Sequence, residues 1–275
     1  MTSNAPDAAE RLAALCAVAL PAEHLRASEI ERICFQQAAG TDVAVLGDAH
    51  AAAVVATRAA HGIRSSWILL LAVHPDHQGQ GRGRALVDDA IAWARQVGAA
   101  DVQVGNLTPR YIWPGLDYRY APALALFETA GFEIVGPAHD MAISTAFRAR
   151  PPAGVTVERE TTVAASQFSA EHYPQWVEEV DIATPQGTCF VARAGDETIA
   201  FACHSVWRRT WMGPFATHPE RRAHGTGRAV LSAMCADLER AGSTEANICW
   251  VGPTAFYAKA GATVSRVYRT LRLGL

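Results

Sequence analysis

The chain has no apolar run approaching the roughly 20 residues that a membrane-spanning helix needs. Its start lacks the basic and apolar regions of a secretory signal, and carries Asp7, Glu10 and Arg11 among alanines instead. No excess of one charge is present. The 24 Lys and Arg against 27 Asp and Glu give a formal net charge of −3, which argues against a general nucleic-acid binder. No two of the six cysteines stand in C-x-x-C spacing. Cys16, Cys34, Cys189, Cys203, Cys235 and Cys249 are scattered, most of them in apolar runs, and read as buried free thiols rather than disulfides or zinc ligands. The expectation is a cytoplasmic protein with no metal, no membrane partner and no nucleic-acid partner. The oligomeric state is left open.

What is present is apolar residues, half of the 275, enough for one large domain or two ordinary ones. An alanine-rich helix is expected over 7–20 and a second over 29–37. Short β-like runs follow at 43–48 and 51–57. The continuous apolar run from Ser66 to Val73 has the length of a strand covered on both faces. A helix is expected over 82–97, closed by Gly98, with Leu86, Ala90, Ala94 and Val97 on its inner face. Pro151 to Gly154 reads as a linker between domains 1–150 and 151–275. After it come a helix near 172–180, strands at 189–193, 198–203 and 210–217, a helix over 228–241, a strand at 246–251, a short helix at 254–260 and a last strand.

The most informative pattern is a repeat. His74, Pro75, Gly81 and Gly83 meet His218, Pro219, Gly225 and Gly227 without a gap, 144 residues on. Further along the offset falls to 130, where Gly131 meets Gly261 and Phe127 meets Tyr257. The first half therefore holds an aromatic-rich insertion, Leu107 to Tyr120, which is either a lid or an inter-domain contact.

Each glycine turn follows an apolar strand and opens a helix. Backbone N–H groups there point outward at the positive end of the helix dipole, so the turn can cradle a diphosphate. Arg82, Arg84, Arg222 and Arg228 could add charge-assisted bonds. No Lys-Ser or Lys-Thr follows the last glycine, which excludes a P-loop, and neither copy has the G-x-G-x-x-G spacing of a dinucleotide fold. The spacing is Gln78-x-x-Gly81-x-Gly83 and Arg222-x-x-Gly225-x-Gly227.

In this spacing, and in Phe127 to Phe132 and Phe256 to Ala262, the chain resembles the GCN5-related N-acetyltransferase family. The resemblance implies an α/β fold of two tandem domains, each a twisted, splayed mixed sheet flanked by helices. It implies acetyl-coenzyme A as co-substrate, lying where two parallel strands part. Val73, Gln78, Gly79, Gln80, Gly81, Arg82, Gly83 and Arg84 would contact it in the first half. Thr217, Arg222, Ala223, His224, Gly225, Thr226, Gly227 and Arg228 would do so in the second, unless one copy has become a scaffold.

The resemblance also gives Tyr257 the position of the acid that protonates the leaving thiolate, with core packing as its other reading. Phe127 cannot serve, because a phenyl ring has no proton to give. Gly213-Pro214 marks an edge or bulge in the strand before the second turn, and with Tyr257 points to the second half as the catalytic one. No base is evident: neither strand before a turn holds a carboxylate. Glu178, Glu179, Asp181, His204 and Asp117 are weak candidates. His74 and His218 read as turn residues. The activity implied is direct acetyl transfer to a primary amine of a small molecule, an amino sugar first. A coenzyme-A-binding regulator and a protein acetyltransferase stand as alternatives.

Overall fold

The computed structural model describes residues 5–275, and the chain divides into two compact units. Unit 1 runs through Ala138 and takes in Val267–Leu275; unit 2 is His139–Arg266. This differs from a linear split at residue 150. The strand that completes unit 1 is the end of the chain, and Pro151 to Gly154 lies inside unit 2, so it separates two elements of one unit.

In unit 1, helix α1 (Ala5–Ala19) buries Leu12, Leu15 and Cys16, and α2 (Ala27–Ile30) continues into a π-helical turn, Glu31–Phe35. Strands β1 (Thr41–Gly47), β2 (Ala51–Ala60) and β3 (Ile63–Val73) form an antiparallel meander. Helix α3 (Arg82–Gln96) crosses to β4 (Asp101–Val104), which pairs parallel with β3. Its buried face is Leu86, Val87, Ala90, Ile91 and Ala94, and Gly98 follows at φ 71°. A two-residue strand, β5 (Leu116–Asp117), precedes α4 (Ala121–Thr129) and the long β6 (Glu133–Ser144).

Unit 2 repeats the plan. It has β7 (Val155–Arg159), α5 (Ala164–His172), α6 (Val177–Ala183), then β8 (Cys189–Ala194), β9 (Glu197–His204) and β10 (Trp211–Thr217) as a meander. Helix α7 (Thr226–Arg240) crosses to β11 (Glu245–Ile248), parallel to β10. Helix α8 (Thr254–Ala258) and β12 (Thr263–Gly274) complete the chain. The C-terminal part of β12 pairs with β4 and β5 in unit 1. β7 and α5 have no counterpart among the expected elements: β7 alternates half-buried and exposed residues, and α5 has a weak apolar face.

The core of unit 2 packs Val230, Leu231, Met234, Cys235 and Leu238 of α7 against Met212, Ile248 and Tyr257. Truncating one such leucine to alanine costs about 2–5 kcal/mol. Five of the six cysteines are buried and all are free thiols. Burial pushes the Cys16 and Cys235 thiols up to about 12, so they remain protonated. No helix among the described residues is long and apolar enough to cross a membrane.

Candidate active site

The two glycine turns have nearly the same backbone. Each begins with a proline-started 3₁₀ turn whose preceding histidine ring accepts a backbone N–H: His74 from Asp76 and His218 from Glu220, both at 3.3 Å. Both histidines are thus turn residues. Gln78 (φ −74°, ψ 162°) and Arg222 (φ −70°, ψ 161°) then extend the chain. Gly81 and Gly225 sit at the N-caps of α3 and α7 in the left-handed region, φ 79° and 91°. An L-residue is strained there, and glycine is not. Gly79 and Ala223 also adopt positive φ, 69° and 67°, so the second turn holds an alanine in a conformation that glycine adopts freely.

Space around the turns differs. Nothing lies within 4 Å of a Cβ built on Gly79 or Gly81, so a ligand can approach the backbone of the first turn. At Gly225 that Cβ would lie 3.6 Å from Pro152 Cγ. A Cβ on Gly83 would crowd Leu126 at 3.2 Å, and one on Gly227 the Phe256 ring at 3.3 Å; these two glycines let helix pack on helix.

The strand before each turn parts from its parallel neighbour at the same place. β3 pairs with β4 up to Ile68–Val104, and β10 with β11 up to Met212–Ile248. In both units the antiparallel register on the other side slips by one residue just beyond, at Leu69 in unit 1 and at Gly213-Pro214 in unit 2. The bulge therefore belongs to both units and does not single out the second. An extra residue in one strand turns the following N–H and C=O groups out of the ladder, and this opens the splay.

Unit 1 has a cleft at its splay, walled by β3 residues Ile68–Leu71, by Val104 and Gly105, by Ala123 and Phe127 of α4, and by Trp113 to Tyr120 of the insertion. The insertion thus folds onto its own unit's cleft. In unit 2, Tyr257 of α8 is 7% exposed and packs against Phe215 (6.3 Å between ring centroids) and Phe256 (4.9 Å). Burial, with a smaller contribution from the neighbouring Cys249, raises its phenol above the ordinary value. Cys249 follows β11 directly, and the next residue, Trp250, is held at φ 45° by the buried Asp140 carboxylate, which accepts its N–H at 2.8 Å.

Family models of the acetyltransferase (GNAT) domain and the acetyltransferase (GNAT) family match residues 37–134 and 157–262. The chain belongs to the GCN5-related N-acetyltransferase family. It holds two domains of that family in tandem, each an open mixed sheet with helices. Among similar solved structures is the GCN5-related glucosamine N-acetyltransferase region of a fungal multi-domain β-N-acetylglucosaminidase (21% identity, TM-score 0.74). It is matched over 98% of this chain, which spans 37% of that longer one. The tandem GNAT protein of the clavulanic acid biosynthesis pathway aligns over 99% of this chain and 97% of its own, at 17% identity and TM-score 0.72. A GCN5-related N-acetyltransferase from Sphaerobacter thermophilus aligns over 98% and 93%, at 20% identity and TM-score 0.66. No curated protein matches by sequence.

Within these acetyltransferase domains, the arginines expected to meet a diphosphate already have partners. Arg82 pairs with Asp48, Arg84 with Asp88 at 2.9 Å, and Arg228 lies over the Phe147 ring at 5.6 Å. The Asp48 carboxyl is held below its usual range, first by the His50 N–H and then by Arg82. Arg222 donates to the Tyr173 hydroxyl at 2.9 Å, which in turn donates to the carbonyl of Thr217 at 2.8 Å. In unit 1 the corresponding carbonyl, that of Val73, accepts from the Gln78 side chain at 3.0 Å, and Gln80 donates to the Asp76 carbonyl. Ala223 and His224 are exposed, whereas Thr226 is buried and presents almost no surface to a ligand.

The weak base candidates separate. His204 is committed to Asp237 at 3.0 Å, and Asp237 also binds Arg159 and Arg240. Glu179 is buried in α6, and Asp181 is exposed. Asp117 lines the unit 1 cleft, but accepts from the Arg119 backbone at 2.8 Å and its Nε at 3.0 Å. Sequence reasoning missed Glu23, a fully buried carboxylate beside this cleft, and Tyr120, which lines it. Glu23 lies about 90 residues from its partners, so no local spacing could have revealed it.

Proposed function

We propose that this protein moves an acetyl group from acetyl-coenzyme A to a primary amine of a small molecule, by direct attack and without a covalent enzyme intermediate. The observation that carries the reading is the duplicated cradle: two outward-facing glycine turns, each at a helix N-terminus, each beside a sheet opened by a bulge. The residues fit the diphosphate and pantetheine arm of the co-substrate. Gly79 and Gly81 leave open space over their backbone, and the carbonyls of Val73 and Thr217 are held only by side chains that can swing aside. The thioester supplies an activated acyl carbon and a thiolate leaving group. Buried thiols with raised pKa offer no competing nucleophile.

In unit 2, Tyr257 is the proposed proton donor to the leaving sulfur. Its raised pKa keeps it protonated until that moment. The same burial raises the pKa of a thiol formed beside it, so the transfer remains close to balanced. An amino sugar is the proposed acceptor class, supported by the likeness to a glucosamine N-acetyltransferase region. The test is thiol release from acetyl-coenzyme A across a panel of amines, with amide formation followed by mass spectrometry. Failure to acetylate any amine while still binding the co-substrate would turn the reading toward a coenzyme-A-binding regulator.

A further inference from the structure

Unit 1 lacks a tyrosine at the position of Tyr257, yet its cleft has a proton-carrying pair of its own. The side chain of Glu23 is 0% exposed. Its Oε1 accepts from Tyr120 Oη at 2.6 Å and from Arg119 Nη2 at 3.4 Å, and its Oε2 accepts from Trp113 Nε1 at 2.9 Å. Tyr120, Trp113 and Asp117 line the cleft that Phe127 and the splayed strands also line. A carboxylate shut away from water is costly unless it has a task or full pairing. Here it braces two aromatic rings on the wall of a cleft that opens at the splay.

We infer that unit 1 is a second transfer site, in which Tyr120 relays the proton of the attacking amine to Glu23. This inference rests on the transferase reading above. The amine nitrogen attacks the thioester carbonyl carbon and a C–N bond forms. Tyr120 Oη takes the proton that the nitrogen sheds as its own proton passes to Glu23 Oε1. The C–S bond breaks with its electron pair on sulfur, and the proton returns from Glu23 through Tyr120 to the thiolate. The products are an amide and a free thiol, and the pair is restored. The cleft is mostly apolar, so it suits a compact primary amine with an apolar flank. The groups facing Glu23 include Tyr120, Trp113 and Arg119 from the insertion and, through its charge, Cys16 of α1; Asp117 shares Arg119.

The test starts from Gly225→Glu, which places a carboxylate in the second cradle and leaves unit 1 to work alone. Acetyl-coenzyme A is paired with two acceptor probes, glucosamine and, as a compact amine with an apolar flank, benzylamine; folding is checked by thermal melting. Gly225→Glu is expected to keep measurable turnover. Adding Tyr120→Phe or Glu23→Gln, which preserves the acceptor for Trp113, is expected to lower kcat at least ~10-fold and to remove the acidic limb of its pH profile. A readout without co-substrate is the NMR titration of the Tyr120 ring, where Glu23→Gln must lower the pH at which the phenol ionises. Abolished turnover in Gly225→Glu alone, or an unchanged kcat and pH profile in the double variants, overturns the inference while leaving the transferase reading intact. A native protein that acetylates nothing overturns both.

Discussion

Units 1 and 2 hold the same backbone device in different surroundings. Turn dihedrals, the histidine caps, the left-handed N-cap glycine and the bulge in the preceding strand agree between them. What lies past the bulge differs. Unit 1 has Gly105, Phe127 and a folded insertion around a cleft; unit 2 has Cys249, and Tyr257 packed against Phe215 and Phe256. The duplicated part is the part proposed to hold the co-substrate. The divergent part is where an acceptor and proton transfer would be decided, as expected when one scaffold carries more than one site.

The comparison can be broken most sharply at Tyr257. Tyr257→Phe in a Gly81→Glu background, where only unit 2 can bind the co-substrate, should lower kcat by about 100-fold with unchanged affinity for acetyl-coenzyme A, as stopped-flow and titration would show. An equal kcat would make Tyr257 a core residue and the two units alike in lacking an acid on the last helix.

Next in size is an exchange of residues at the splay. Gly105 sits at φ 68°, and a Cβ there would lie 2.6 Å from the Trp113 carbonyl oxygen. Gly105→Cys, which copies unit 2 into unit 1, should destabilise the protein by about 2–4 kcal/mol in urea titration. A neutral result would mean that the insertion does not constrain the cleft.

Acid sensitivity should also separate the units. Burial lowers the His204 pKa below its ordinary 6.5, against the opposing pull of Asp237. The folded state then binds fewer protons than the unfolded chain. This stabilisation is complete above about pH 6.5 and is lost as the pH falls toward the folded pKa. Unit 1 has Val55 at the equivalent position, where it faces Ile68 as His204 faces Met212. Amide hydrogen exchange should show unit 2 opening more readily as the pH drops from 7 to 5, and His204→Gln should remove that difference. The smallest effect is expected for Ala223→Gly, which gives the second turn the residue of the first and should raise stability by about 1 kcal/mol.

Much of this could be read directly from the chain. The apolar run before each turn, the Gly-x-Gly spacing and the C-cap glycines act over a few residues, so β3, α3, β10 and α7 appear close to where they were expected. Gly213-Pro214 signals a bulge in the sequence but does not set unit 2 apart, because Leu69 makes the same bulge without a glycine or proline to signal it. Helix α5 and strand β7 lack a strong periodic pattern, since neighbouring elements rather than their own faces decide their burial.

By itself, the sequence determined the repeat, the cradle at each helix start and the family, because backbone conformation at a glycine turn is a local matter of sterics and hydrogen bonding. Only the tertiary structure decided that the end of the chain completes the first unit, that the insertion walls a cleft, and that Glu23 meets Trp113 and Tyr120. Those facts rest on strand pairing and burial between residues far apart in the chain. Such contacts are selected by the free energy of the whole packed unit and leave no fixed spacing behind.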